Sequence, residues 1–220
     1  MLTISAAEMK AMDSYAIKKV GIPSIVLMES AALKVVENID LKKKNSFTVI
    51  CSTGNNGGDG LAIARRLILA DKKVELFLLA DPEKGTKDFK INLEILKNMG
   101  IDYHLFSEAD FSSHLKKALM KNDLSIDAIF GIGLDREVEG LYKESIQLIN
   151  QYAKETLAVD TPSGIDADTG KVFGLAVKAD QTISFHLMKK GLLKNKEYSG
   201  DTIVADIGIP KFVTRLILDK

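Results

Sequence analysis

The sequence predicts an α/β domain in which a parallel sheet is covered by helices on both faces. Three observations lead there. Short apolar runs rich in β-branched residues alternate with amphipathic helical patterns at spacings suited to βαβ units. The first such run, Thr48-Val49-Ile50-Cys51, leads straight into a glycine-rich turn and then a helical pattern. Two helical patterns precede that strand, so the sheet begins only after an N-terminal helical pair.

The elements follow in order. Thr3 to Lys19 carries apolar residues at Ala6, Met9, Met12, Tyr15 and Ala16, and Ser5-x-x-Glu8 forms a capping box at its start. Gly21-Ile22-Pro23 stops it. A second helix runs from about Ser24 to Asn38. Thr48 to Cys51 is a buried strand, and Leu61 to Ile68 a helix. Strands are expected at Lys73–Ala80, Tyr103–Phe106, Ile126–Phe130, Thr156–Asp160, Gln181–Phe185 and Ile203–Ile207. Helices are expected at Asp88–Asn98, Phe111–Lys121 and Tyr142–Ala153.

The 220 residues suit one domain with a sizeable core. Lysine plus arginine and aspartate plus glutamate number 30 each, so no bulk field favours nucleic acid or a membrane surface. The lone cysteine, Cys51, excludes an internal disulfide and reads as a small buried apolar residue. No apolar run approaches the ~18 residues of a membrane span, and a cytoplasmic location is the expectation.

The segment Gly54-Asn55-Asn56-Gly57-Gly58-Asp59-Gly60 carries most of the chemistry. Strand, glycine loop and helix in that order point backbone N–H groups at an anion. Gly57, Gly58 and Gly60 are expected to permit positive φ and a close ligand approach. The spacing matches neither a P-loop nor a G-x-G-x-x-G fingerprint, and a tight turn whose glycines serve packing is the alternative. In parallel sheets the ligand lies beyond the carboxyl ends of the strands. That rule gathers three polar loops in one crevice: 54–60, 127–140 and 160–170.

Asp160 ends its strand there, whereas Asp127 sits near the start of its own and needs donors or a cation. Asn56, Asp127 and Ser163 form an all-oxygen set suited to a hard cation rather than zinc or iron. The alternative is ordinary aspartates that cap helices or turns. No nucleophile motif is present. His186 is placed where it could reach the crevice, His104 reads as a surface strand residue and His114 as a solvated helix residue. Asp166 and Asp168 read as a self-bonding turn rather than a cation loop. Lys189-Lys190 suits either a ligand phosphate or solvent.

With these loops named, the chain resembles the YjeF N-terminal domain family, the NAD(P)HX epimerases. The resemblance runs through Gly54–Gly60, Asp127-Ala128-Ile129-Phe130-Gly131-Ile132-Gly133 with Arg136 and Gly140, Asp160-Thr161-Pro162-Ser163-Gly164-Ile165-Asp166, and Asp206-Ile207-Gly208-Ile209-Pro210. It covers nearly the whole chain and implies one domain over residues 1–220, a Rossmann-like three-layer αβα sandwich. It further implies epimerisation at C6 of hydrated NADH and NADPH. Substrate contacts would come from Asn55, Asn56, Gly57, Gly58 and Asp59, from Gly131, Ile132, Gly133, Leu134, Asp135, Arg136 and Glu137, and from Asp160. A potassium ion would be held by Asn56, Asp127 and Ser163. Asp160 is the expected acid/base and Asp127 its electrostatic partner. The N-terminal helices, with Met9, Met12, Val26, Leu27 and Met28, suit either a cover for the sheet or a homodimer face, and an NAD(P)HX dehydratase is a candidate functional partner. The alternatives are a non-catalytic binding module of the same fold and one half of a bifunctional enzyme.

Overall fold

The computed structural model describes residues 2–218. In chain order the elements are β1 (Thr3–Ile4), α1 (Ala6–Tyr15), α2 (Ser24–Glu37), β2 (Ser46–Cys51), α3 (Asn55–Leu69), β3 (Lys73–Leu78), α4 (Lys87–Asn98), β4 (His104–Leu105), α5 (Phe111–Lys121) and β5 (Leu124–Ala128). They continue with α6 (Gly140–Tyr152), β6 (Thr156–Val159), β7 (Gln181–Phe185), β8 (Met188–Lys189), α7 (Lys190–Lys194), α8 (Lys196–Ser199), β9 (Asp201–Ala205) and α9 (Lys211–Leu218).

The main sheet has seven strands in the order β4-β3-β2-β5-β6-β7-β9. All its pairs are parallel. Strand order therefore reverses between β2 and β5, and the crevice of a doubly wound sheet opens at that point. Side-chain alternation divides the core into two layers. On β2, Phe47, Val49 and Cys51 join a cluster with α1, α2, α3, α4 and α9. Ile50 faces the other way, into a cluster with α5 and α6. The arrangement is the expected three-layer αβα sandwich.

The capping box forms: the Glu8 amide donates to Ser5 Oγ, and the Ser5 amide donates to the Glu8 carboxylate at 2.8 Å. The helix is shorter than the periodicity predicted. It passes at Ala16 into a π-helical turn that ends at Gly21, φ 87°. A small parallel pair, β1 with β8, was not legible in two-residue segments. It ties the N-terminus to the segment after β7.

Two expectations change at the site itself. Asp127 is the fourth of five residues in β5, near its carboxyl end rather than its start, because pairing with β2 begins already at Leu124. The 54–60 segment is not a loop. Gly54 is the N-cap, and residues 55 to 60 form the opening turns of α3. None of its glycines has a positive φ. A Cβ on Gly57 would lie 1.8 Å from the Ser52 carbonyl oxygen, and one on Gly60 2.5 Å from Ala128 Cβ and 2.6 Å from Cys51 Sγ. These glycines let a helix sit directly on β2 and β5, which is the packing alternative.

Candidate active site

A cavity of about 540 Å³ opens at the reversal point, within the ~300–1,000 Å³ typical of small-molecule sites. Its walls come from α1 and α2 on one side, the start of α3, the loop after β5, and the ends of β6 and β7. Of the predicted contacts, Asn55, Asn56, Asp59, Gly131, Ile132, Gly133, Leu134, Asp135, Arg136 and Asp160 line it. Three predicted contacts do not. Gly57 and Gly58 are buried against Ser52 and Met28, where any side chain would collide. Glu137 turns away, and its carboxylate lies beside Gly174.

Asp160 is the best-defined group in the cavity. It adopts φ 65°, a backbone conformation that non-glycine residues rarely take. Its amide donates to the Ile183 carbonyl at 2.9 Å. Its Oδ1 accepts the Phe185 amide at 3.0 Å and is ion-paired with Lys189 Nζ. Lys189 is fully buried and also donates to the Phe185 carbonyl at 2.7 Å. Asp160 Oδ2 takes no hydrogen bond among the described residues, so it is the oxygen left for a ligand.

More carboxyl groups surround it than the sequence reading assigned. Burial pushes the Asp13 carboxyl up to about 6, and the neighbouring Asp160 adds to the effect while Lys189 opposes it. Burial pushes Asp59 well above the usual carboxylate range, reinforced by Asp160, Asp13 and Asp88. Asp13 and Asp88 line the same cavity, with Lys10 and Arg136 as cations. A signal for Asp13 existed. It stands on the stripe of Met9, Met12 and Ala16, where a carboxylate among buried positions needs a reason. Lys189, expected to face either a ligand phosphate or solvent, does neither: it is fully buried and paired with Asp160.

Asp127 and Ser163 are fully buried and lie outside the cavity lining. Ser163 Oγ donates to Asp127 Oδ1 at 2.6 Å, and its amide donates to Oδ2 at 2.8 Å. The Ile129 amide adds a third bond at 3.2 Å. The Phe130 amide donates to Ser163 Oγ at 2.8 Å. Next in line is Gly131, where a Cβ would lie 3.4 Å from the Asn56 side-chain amide. Asp127 and Ser163 are thus in direct contact, and Asn56 lies beside Gly131, with Phe130 between it and that pair.

Their chemistry fits a monovalent cation. Burial raises the Asp127 carboxyl to about 6, partly offset by the Ser163 and Ile129 donors, and no cationic side chain contributes. The carboxylate uses three of about four acceptor positions. Asn56 Nδ2 and Thr161 Oγ1 are buried without a hydrogen-bond partner. Which Asn56 amide atom faces the group is an orientation choice that a bound ion would fix.

The remaining predicted residues fall elsewhere. His186 bonds Thr214 at 2.8 Å and does not line the cavity. Asp166 accepts from Thr169 and Asp168 in a self-bonded turn, as expected, and Asp168 caps α1 through the Ala6 amide at 2.7 Å. Cys51 is fully buried, and that burial raises its thiol.

Fold and cavity together define a class: a doubly wound parallel αβα domain with a cavity at its strand-order reversal, bounded by a carboxylate-rich wall. The family model for the YjeF-related protein N-terminus matches residues 24–191, and the chain belongs to that family. It is 41% identical over 218 residues to the NAD(P)H-hydrate epimerase of Anaerococcus prevotii, covering 99% of this chain and 100% of that one. It is 43% identical to the bifunctional NAD(P)H-hydrate repair enzyme Nnr of Moorella thermoacetica, covering 96% of this chain but 41% of that protein. Among solved structures, yeast ynu0 superimposes with a TM-score of 0.85 at 22% identity, over 99% of this chain and 94% of the yeast chain. That likeness concerns the fold.

Proposed function

We propose that this chain interconverts the R and S forms of hydrated NADH and NADPH at C6 of the nicotinamide ring. Similarity along its full length to an NAD(P)H-hydrate epimerase supports the reading. The observation that carries it is Asp160: a carboxylate at the reversal point with one oxygen fixed by Lys189 and the Phe185 amide and the other uncommitted.

C6 of the hydrate is a hemiaminal carbon. Its configuration inverts when the C6–OH or the C6–N1 bond opens and recloses from the opposite face. In the first route, a carboxylic acid protonates the hydroxyl and water departs, leaving a ring cation. Water then adds to the other face and returns a proton to the carboxylate. The second route removes the hydroxyl proton as C6–N1 breaks and protonates N1, then reverses both transfers. Asp160 serves as the proton-transferring group in either route. Asp13 and Asp59, whose carboxyl pKa values burial raises, take up a proton beside it more readily than an exposed carboxylate would.

The uncapped N-terminus of α3 at Asn55 and Asn56 offers free amides to the pyrophosphate, with Arg136 and Lys10 as countercharges. Asn56, Asp127 and Ser163 would hold a potassium ion. When bound, that ion supplies fixed positive charge that offsets the buried Asp127 carboxylate. Asp127 does not reach the cavity, so its part is to position the Ser163 and Phe130 backbone rather than to touch substrate.

A dehydratase is the expected functional partner, since the Moorella relative is a bifunctional repair enzyme of greater length. No described helix is long and apolar enough to cross a membrane. To test the activity, each purified epimer is incubated separately with the protein and its conversion followed by chromatography. Enzyme-dependent approach to one common mixture from both sides supports the reading. Binding of the nucleotide without interconversion overturns it in favour of a non-catalytic module.

A further inference from the structure

Away from the cavity, His104, Glu108 and His114 form the one group of three potential metal-ligating side chains among the described residues. We infer that these residues bind a single zinc ion that fastens β4, the edge strand of the main sheet, to α5.

One candidate ligand atom from each residue lies within 4.8 Å of the others. The His104 Nδ1 and Glu108 Oε2 are already 3.2 Å apart. Ligands around tetrahedral zinc, at ~2.0–2.2 Å from the metal, sit about 3.3 Å from one another. With Glu108 anchored, the remaining approach falls to the His114 ring. Two ligands are held in place from behind, as metal ligands usually are. The Leu105 amide donates to Glu108 Oε1 at 2.8 Å, and the His104 ring stacks on Phe77 at 4.6 Å between centroids. His114 has a buried Nδ1 with no hydrogen-bond partner, whereas His104 Nδ1 and both Glu108 oxygens are bonded. Two imidazoles and one carboxylate favour zinc over magnesium, calcium or potassium, and they leave a fourth position for water. His104 ends the sheet, Glu108 lies in the connection and His114 is in the first turn of α5. The ion would therefore bridge a five-residue link, 106–110, whose backbone is tied to the sheet by the Phe106 amide on the Leu78 carbonyl and otherwise holds turn hydrogen bonds.

Isothermal titration of the full chain with zinc chloride, in a buffer that does not chelate metal, tests this. One ion per chain is expected, with thermal stability rising as zinc is added. His104→Gln and His114→Gln are each expected to weaken binding by roughly 100-fold, and Glu108→Gln by roughly 10-fold. Circular dichroism of the metal-free variants separates lost ligation from lost folding, and Glu108→Gln, on an exposed side chain, keeps the fold in any case. His186→Gln is expected to bind zinc as the parent does. Absence of stoichiometric uptake overturns the proposal. So does uptake that survives all three ligand substitutions, or uptake that disappears with His186→Gln.

Discussion

Lys189 and Asp160 form a buried ion pair at the floor of the cavity, and the lysine has no exposed surface. Removing one partner of such a pair leaves an uncompensated charge, at a cost of about 3–5 kcal/mol. Lys189→Met is therefore expected to lower the denaturation midpoint sharply and to abolish epimerisation. Replacing Asp160 by Asn keeps the hydrogen bonds possible but removes proton transfer, and it leaves Lys189 without its counter-charge, so a lowered denaturation midpoint is expected here too. Its turnover is expected to fall by about 10²–10⁴-fold while calorimetry still detects nucleotide binding. Parent-like turnover of Asp160→Asn removes the residue from the reaction.

Gly57 and Gly54 separate packing from ligand approach. A Cβ on Gly57 strikes the Ser52 carbonyl, which is backbone and cannot yield, whereas a Cβ on Gly54 meets nothing within 4 Å. Gly57→Ala is expected to destabilise the fold by about 3 kcal/mol or more, from overpacking against a fixed backbone. Gly54→Ala is expected to stay within about 0.5 kcal/mol. Urea unfolding of the two variants measures the contrast.

Potassium dependence follows from the buried Asp127, which has Ser163 and Ile129 donors but no cationic side chain. Potassium chloride is expected to raise Tm above the value in choline chloride at equal ionic strength, by an amount equivalent to about 1–3 kcal/mol at saturating ion. Asp127→Asn is expected to erase that difference. Equal melting temperatures of the parent in the two salts would count against the assignment.

Asp13 gives the stability a definite pH dependence. Its folded value of about 6 exceeds the ordinary 3.8. Between those limits the folded state binds more protons than the unfolded one. This contribution therefore stabilises the fold at low pH and is lost as pH rises through about 4 to 6, amounting to about 2–3 kcal/mol by pH 8. Asp13→Asn is expected to flatten this part of the curve and to be more stable than the parent at pH 8. Chemical denaturation across that pH range checks both the slope and its sign.

The sandwich was legible because its signals are local and repeated. Apolar β-branched runs and amphipathic helices alternate, and the carboxyl-end rule alone brought Asn56, Ser163 and Asp160 to one end of the sheet. Local signals misjudged the 54–60 segment. Glycine is a poor helix former in isolation, yet close packing on Ser52 and Ala128 makes the helix the state that fits. Tertiary contact overrides propensity there. Asp127 was misplaced along its strand for a related reason: strand limits are set by the neighbouring strand, and β2 engages β5 from Leu124 onward.

By itself the sequence determined the layer architecture and the polar segments at the carboxyl ends of the strands, and it picked out Asn56, Asp127 and Ser163 as candidate oxygen donors. These depend on the period of apolar residues and on residue chemistry, which are properties of short stretches. Only the tertiary structure decided that Lys189 pairs with Asp160, that Asp13 enters the cavity from α1, and that Asp127 lies outside the cavity lining. Those outcomes are set by burial and by distances between groups many residues apart, and the energy of a charge depends on both.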